Sequence, residues 1–132
     1  MNQAVYYPIA GCAPSSHRLA SDYHHRWLVV DANGSWLSGT ACAALLQVTT
    51  EMRMGSLVIR APGMLRMDIP LDVIEDDDSV KCTATIAGSP VDVVDEGDLA
   101  AVWFGNVTGM SCRLVKVHPE AGEIDWPDET PK

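Results

Sequence analysis

The sequence predicts a mainly β fold, a small antiparallel β-barrel of about seven short strands with one helix near the C-terminus. Three observations predict it. Apolar residues recur with a period of two through most of the first ninety residues. Turn-forming pairs such as Asn33-Gly34, Gly55-Ser56 and Pro62-Gly63 separate those runs. The period lengthens to that of a helix only after Val94, so strand–helix alternation of the doubly wound kind is missing. At 132 residues the chain has the length of one domain, long enough to bury a single core.

Residues 4–9 (AVYYPI) are β-branched and aromatic, and Pro8 suits a strand that lies at an edge or ends there. Residues 10–14 (AGCAP) read as a turn of small residues carrying Cys12. Residues 26–31 (RWLVVD) form an apolar run that meets Asn33-Gly34, the pair a type I′ hairpin turn prefers because both central residues need positive φ. Trp36 and Leu37 begin the predicted return strand.

Residues 42–46 (CAALL) have the length of one helical turn. Beyond them Val48, Thr50, Met52 and Met54 alternate with Gln47, Thr49, Glu51 and Arg53, the period of a half-buried strand. Gly55-Ser56 suits a II′ turn into residues 57–60, and Pro62-Gly63 reverses the chain again. Leu65, Met67 and Ile69, then Val80, Cys82, Ala84 and Ile86, are the predicted inward faces of two more strands. Glu75 to Asp78 is a charge run without the spacing of a calcium loop, so it reads as a solvated connection.

Asp95 can cap a helix at about residues 96–108, with Leu99, Val102, Trp103 and Val107 on one face and Gly109 as a left-handed C-cap. Residues 111–117 return as a strand. Residues 1–117 are thus read as one domain and residues 118–132 as an acidic, proline-containing tail that is loosely ordered at best. Its Trp126 is a candidate contact for a partner if exposed.

The formal charge of −9 and nine scattered basic residues argue against a nucleic-acid partner. No apolar run approaches the ~20 residues that cross a bilayer, and the N-terminus lacks a basic region leading into an apolar one. A cytoplasmic protein without a membrane partner is therefore expected. Cys12, Cys42, Cys82 and Cys112 lack the close pairs of a zinc site and are expected to be reduced and mostly buried.

Two clusters could carry chemistry. His24 and His25 adjoin Arg26, but neighbouring histidines on a strand point to opposite faces and cannot share a metal without a bend. Cys12 could pair with His24 or His25, yet nothing beside it, Arg18 apart, would lower its pKa. A packed turn cysteine is the simpler reading.

Four stretches then bear a family resemblance: VYYPIAGC, HHRWLVVDANGSWLSGT, LVIRAPGMLRMDIPL and VDVVDEGDLAAVWFGNVTGMSCRLVKV, spanning about residues 4–117. In order and spacing they resemble the molybdenum-cofactor sulfurase C-terminal (MOSC) family, specifically its N-terminal β-barrel domain. The resemblance implies a barrel that precedes a catalytic domain, the pair binding a molybdopterin-type cofactor. It carries no metal-ligand cysteine to this chain, because that residue belongs to the downstream domain.

The departures matter as much. Where the family has Lys-Ser before the cysteine this chain has Ala10 and Gly11, and where it has Asp-Arg ahead of the retained Arg26 it has His24 and His25. Further basic places around Ser38 to Ala44 are neutral. A phosphate group would lose most of its charge-assisted hydrogen bonds. The reading is a non-catalytic binding or accessory module with a protein partner, possessing no catalytic residues. The alternative is residual binding of a molybdenum cofactor or other anion by Arg26, His25, Gly11, Cys12 and Arg18, with His17 nearby and a partner supplying the catalytic half.

Overall fold

The computed structural model describes residues 5–15, 20–39, 41–71, 81–118, 121, 124 and 126. Its strands are β1 (Ile9–Ala10), β2 (Trp27–Asp31), β3 (Thr49–Arg53), β4 (Ser56–Arg60), β5 (Met67–Pro70), β6 (Lys81–Ile86), β7 (Ser89–Asp95) and β8 (Cys112–Val117). One helix, α1 (Asp98–Thr108), lies between β7 and β8, and two 3₁₀ turns span Ala20–Tyr23 and Ala43–Gln47. The class is mainly β, as expected. The strands form two sheets, β1-β2-β8-β7-β6 and β3-β4-β5, and among the described residues no closed barrel is made.

The pairing is antiparallel except at the first strand. β1 runs parallel to β2, with Ile9 beside Trp27 and Ala10 beside Leu28. Residues 11–26 form a long excursion between them, and a parallel pair needs such a crossover. The predicted strand at residues 4–9 is shorter than its composition suggests. Tyr6 pairs instead with Ser15, through backbone hydrogen bonds of 2.9 and 2.7 Å.

Two turns differ from expectation for local reasons, and a third joins strands for which no turn was predicted. Asn33-Gly34 is not a I′ pair: Gly34 alone has positive φ, Gly34 N–H donates to the Asp31 carbonyl, and the Asp31 carboxylate accepts from the Asn33 and Ser35 amides. That is a type I turn with a bulge glycine. Its return is a single bridge from Trp36 to Val30 rather than a strand. The β3–β4 turn centres on Met54-Gly55, φ 51° and 79°, so Met54 is fully exposed instead of facing inward. Ala87-Gly88 turns β6 into β7 in the same way, φ 52° and 84°.

β2 is buried on both sides, which explains its unbroken apolar run. Trp27 and Val29 face the space between the sheets, with Leu114, Met52, Leu57, Ile59, Met67, Ile69 and the α1 residues Ala100, Trp103 and Phe104. Leu28 and Val30 face the other side, with Ala84, Ile86, Val91, Val93 and Val115. Ala121, Ile124 and Trp126 of the C-terminal segment pack on that second face, so Trp126 is half-buried against Trp36 rather than free for a partner.

The helix turns half of the predicted stripe inward, since Trp103 is buried and Val107 packs on the core. Ala100, Trp103 and Phe104 are buried, whereas Leu99 and Val102 face water. Polar contacts hold the start of the helix. The Asp95 carboxylate accepts the Gly97 amide, and Arg113 of β8 ion-pairs with both Asp95 and Asp98. Those carboxylates raise the Arg113 pKa further, chiefly through the Asp95 hydrogen bond. Gly109 closes the helix in the left-handed conformation, as the sequence suggests. Leu65 and Cys82 are also exposed, contrary to the alternation. Leu65 lies before β5, and Cys82 sits at the far end of edge strand β6 from the covering Trp36, which joins at Thr85.

Candidate functional site

The candidate residues occupy the two ends of the β1–β2 contact. At one end His25 N–H donates to the Tyr7 carbonyl at 2.7 Å, and Trp27 N–H to the Pro8 carbonyl at 3.0 Å. At the other end the chain leaves β1 through Gly11 and Cys12, with Cys12 N–H closing a turn onto the Ile9 carbonyl at 3.1 Å. Gly11 follows the last residue of β1 and His25 comes before the first of β2, and because Ile9 pairs with Trp27 in parallel the two lie at opposite ends of the contact. The set does not converge. Arg18 and His17 lie outside the described residues, as does the charge run at 75–78.

The Gly11–Cys12 turn is closed. Gly11 has φ 98°, and a Cβ there would meet backbone atoms of Leu37, Ser38 and Gly39 at 3.1–3.2 Å. Gly39 is equally tight, with the Gly11 carbonyl oxygen 2.7 Å from where its Cβ would stand. Cys12 is 1% exposed, within the core between the sheets. This turn therefore does not fit a bound molybdopterin-type group, which would need room and donors.

The His25–Arg26 end is open and aromatic. His25 has a left-handed backbone, φ 56°, so the strand alternation fails and the two histidines lie side by side. Their rings stack with centroids 3.8 Å apart. His24 Nδ1 accepts the Tyr7 amide at 2.9 Å, and Trp126 stands 4.6 Å from His25. The expected opposite-face placement was thus wrong, yet among the described residues no group of three metal-ligating side chains assembles.

Arg26 is half-buried, with its guanidinium 5.3 Å above the Tyr23 ring and donating to the Asp22 carbonyl at 3.1 Å. Among the described residues it has no carboxylate partner, which leaves donors for an anion. Tyr23 stacks on Trp27 at 6.0 Å, and Lys116 lies 5.3 Å from the other ring of that pair, Trp27. Lys116 Nζ donates to the Leu71 carbonyl at 2.7 Å, and the Trp27 indole donates to Glu96 at 2.6 Å. Sequence reasoning missed Lys116, Glu96 and Tyr23. Lys116 meets Trp27 in the β2–β8 register and Glu96 reaches it from the end of β7, neither of which a single sequence displays, whereas Tyr23 is only four residues before Trp27.

Similarity to known proteins agrees with this architecture. The family model described as MOSC N-terminal beta barrel domain matches residues 1–111. A molybdenum cofactor sulfurase of Drosophila erecta is 29% identical over 126 residues, 86% of this chain. Those of Danio rerio and Homo sapiens are 29% and 27% identical over 74% and 71% of it. The chain spans only 16%, 12% and 11% of those three proteins. A solution structure of a Bordetella bronchiseptica protein superposes with a TM-score of 0.83 and 51% identity, covering 96% of this chain and 98% of the other. By sequence and by fold, then, the chain belongs to the MOSC N-terminal beta barrel domain family.

Proposed function

We propose that this domain is an accessory binding module, a rigid β scaffold that acts through a protein partner and makes or breaks no bond itself. The observation that carries this reading is the closed Gly11–Cys12 turn, where the nucleophilic candidate sits inside the core instead of at a mouth. A thiol must be exposed and ionised to react. Alkylation of the folded protein at neutral pH, read site by site by mass spectrometry, tests it. Cys82 on the sheet edge is expected to react first, with Cys12 and Cys112 protected until the protein opens. Burial also pushes the Cys112 thiol pKa up. Fast modification of Cys12 in the folded state would overturn the reading.

A second reading is favoured by Arg26 alone: residual binding of an anion of the phosphate or molybdopterin type. Its guanidinium is held by Tyr23 and one carbonyl, with donors to spare. Titration with inorganic phosphate and with a molybdopterin-type cofactor is expected to move the Arg26 amide signal and leave that of Gly11 in place, because the two lie at opposite ends of β1–β2. No movement of Arg26 at millimolar ligand ends this reading. The longer relatives are named as sulfurases, and that activity is carried to this chain by no residue described above.

A further inference from the structure

The helix has more apolar surface than the domain uses. Trp103 points inward and donates its indole N–H to the Leu65 carbonyl at 2.7 Å. Leu65 itself is 88% exposed, and Leu99 and Val102 are 80% and 61% exposed. Leu99 lies one helical turn before both Val102 and Trp103, and the Leu65 carbonyl is held on the Trp103 indole, so the three exposed residues come to one side of the helix. Single exposed aliphatics are ordinary, but a cluster of three around a buried aromatic is a contact surface. Nothing in the helix itself requires them, since Glu or Lys would serve an exposed position better than Val.

We propose that the Leu65–Leu99–Val102 patch is a docking surface for a cationic partner segment, one that sets an apolar side chain against the patch with Lys or Arg beside it. The proposal rests on the accessory reading and names its surface. Charge decides the occupant. Asp98 is the only charged residue of α1 and its side chain is 93% exposed. Asp95 precedes it, and the single guanidinium of Arg113 pairs with both carboxylates, which leaves an excess of one negative charge, while the Glu96 carboxylate turns away to accept the Trp27 indole N–H. On the other side of the patch Arg66 and Asp68 pair with each other and cancel. The rim is therefore acidic, on a chain of formal charge −9.

A second copy of the chain would set −9 against −9. Three side chains also cover far less than the roughly 800 Å² per partner of a standard interface. A short basic segment meets both conditions, with the apolar anchor limiting dissociation and the charges speeding encounter.

The test uses the full isotope-labelled chain and two designed amphipathic peptides of equal spacing, one of Leu and Lys, one of Leu and Glu. The Leu/Lys peptide is expected to shift the amides of Leu65, Leu99, Val102 and Trp103, and Leu99→Ser with Val102→Ser is expected to weaken binding at least tenfold. Both positions are exposed, so the variant should melt with the parent. If it does not, Leu65→Ser, outside the regular elements, gives the same comparison. Equal binding of the Leu/Glu peptide, shifts elsewhere, or unchanged affinity in the variants overturns the proposal. So does a dimer that depends on Leu99, which would assign the face to a second copy. Reactive Cys12 would instead fail the accessory reading and leave these peptide results as they stand.

Discussion

Trp27→Ala is expected to destabilise the domain by about 3–5 kcal/mol, the usual range for deleting a buried Trp or Phe side chain. Trp27 is 0% exposed, at the centre of the core between the sheets. It is also the link between that core and the polar groups around it, through the Glu96 hydrogen bond, the Tyr23 stack and the Lys116 ammonium over its ring. Removing it leaves a cavity, costs the half-buried Glu96 carboxylate one of its donors and withdraws a cation–π contact. A domain of this size is typically stable by about 5–15 kcal/mol, so the loss removes a large fraction of the total. Urea unfolding measures this directly. A loss below about 1 kcal/mol would show that the core is not organised around this residue.

Gly11→Ser, which restores one of the residues that the resemblance places before the cysteine, is expected to cost about 2 kcal/mol or more and to restore no ligand binding. Two causes add. Positive φ strains any side-chain-bearing residue by about 1–3 kcal/mol. The new Cβ also meets the backbone at Leu37, Ser38 and Gly39, which cannot step aside as a flexible side chain would. Gly34→Ala separates the two terms. Gly34 has φ 80° but only the Thr83 carbonyl within reach, at 3.5 Å, so its variant bears the torsional cost with little crowding. Thermal melts of Gly11→Ala and Gly34→Ala should therefore differ, with Gly11→Ala the lower. Equal melting temperatures would mean that the turn can open, and the closed-site argument would fall with it.

Why some expectations survived and others did not is visible residue by residue. Val48 and Met52, and later Met67 and Ile69, face the core as their alternation says. Met54 and Leu65 continue the same alternation and are exposed, because each lies just outside a strand and the period of two applies only within one. The helix was placed correctly from its Gly109 terminator, while its inward face was misjudged by about one residue. Burial of Ala100, Trp103 and Phe104 against residues from distant strands sets that rotation, and the Arg113 contacts to Asp95 and Asp98 accompany it.

The candidate site divides in the same way. Cys12 in a packed turn was legible from Ala10 and Gly11, whose smallness marks close approach of backbones. The stacking of His24 on His25 was not, because it depends on a left-handed residue where strand geometry was assumed. Nor was the separation of Arg26 from Gly11, which follows from the parallel pairing of β1 with β2.

By itself, then, the sequence determined the mainly β class, the sites of reversal and the place of the single helix. These depend on turn torsions and side-chain periods that act between residues a few positions apart. Only the tertiary structure decided that the described strands form two sheets, that Ala121, Ile124 and Trp126 pack on the outer face of one of them, and which side of α1 meets water. Those outcomes are set by what lies opposite each face. In a fold whose first strand pairs with its second across a long excursion, the opposing residues are far away along the chain.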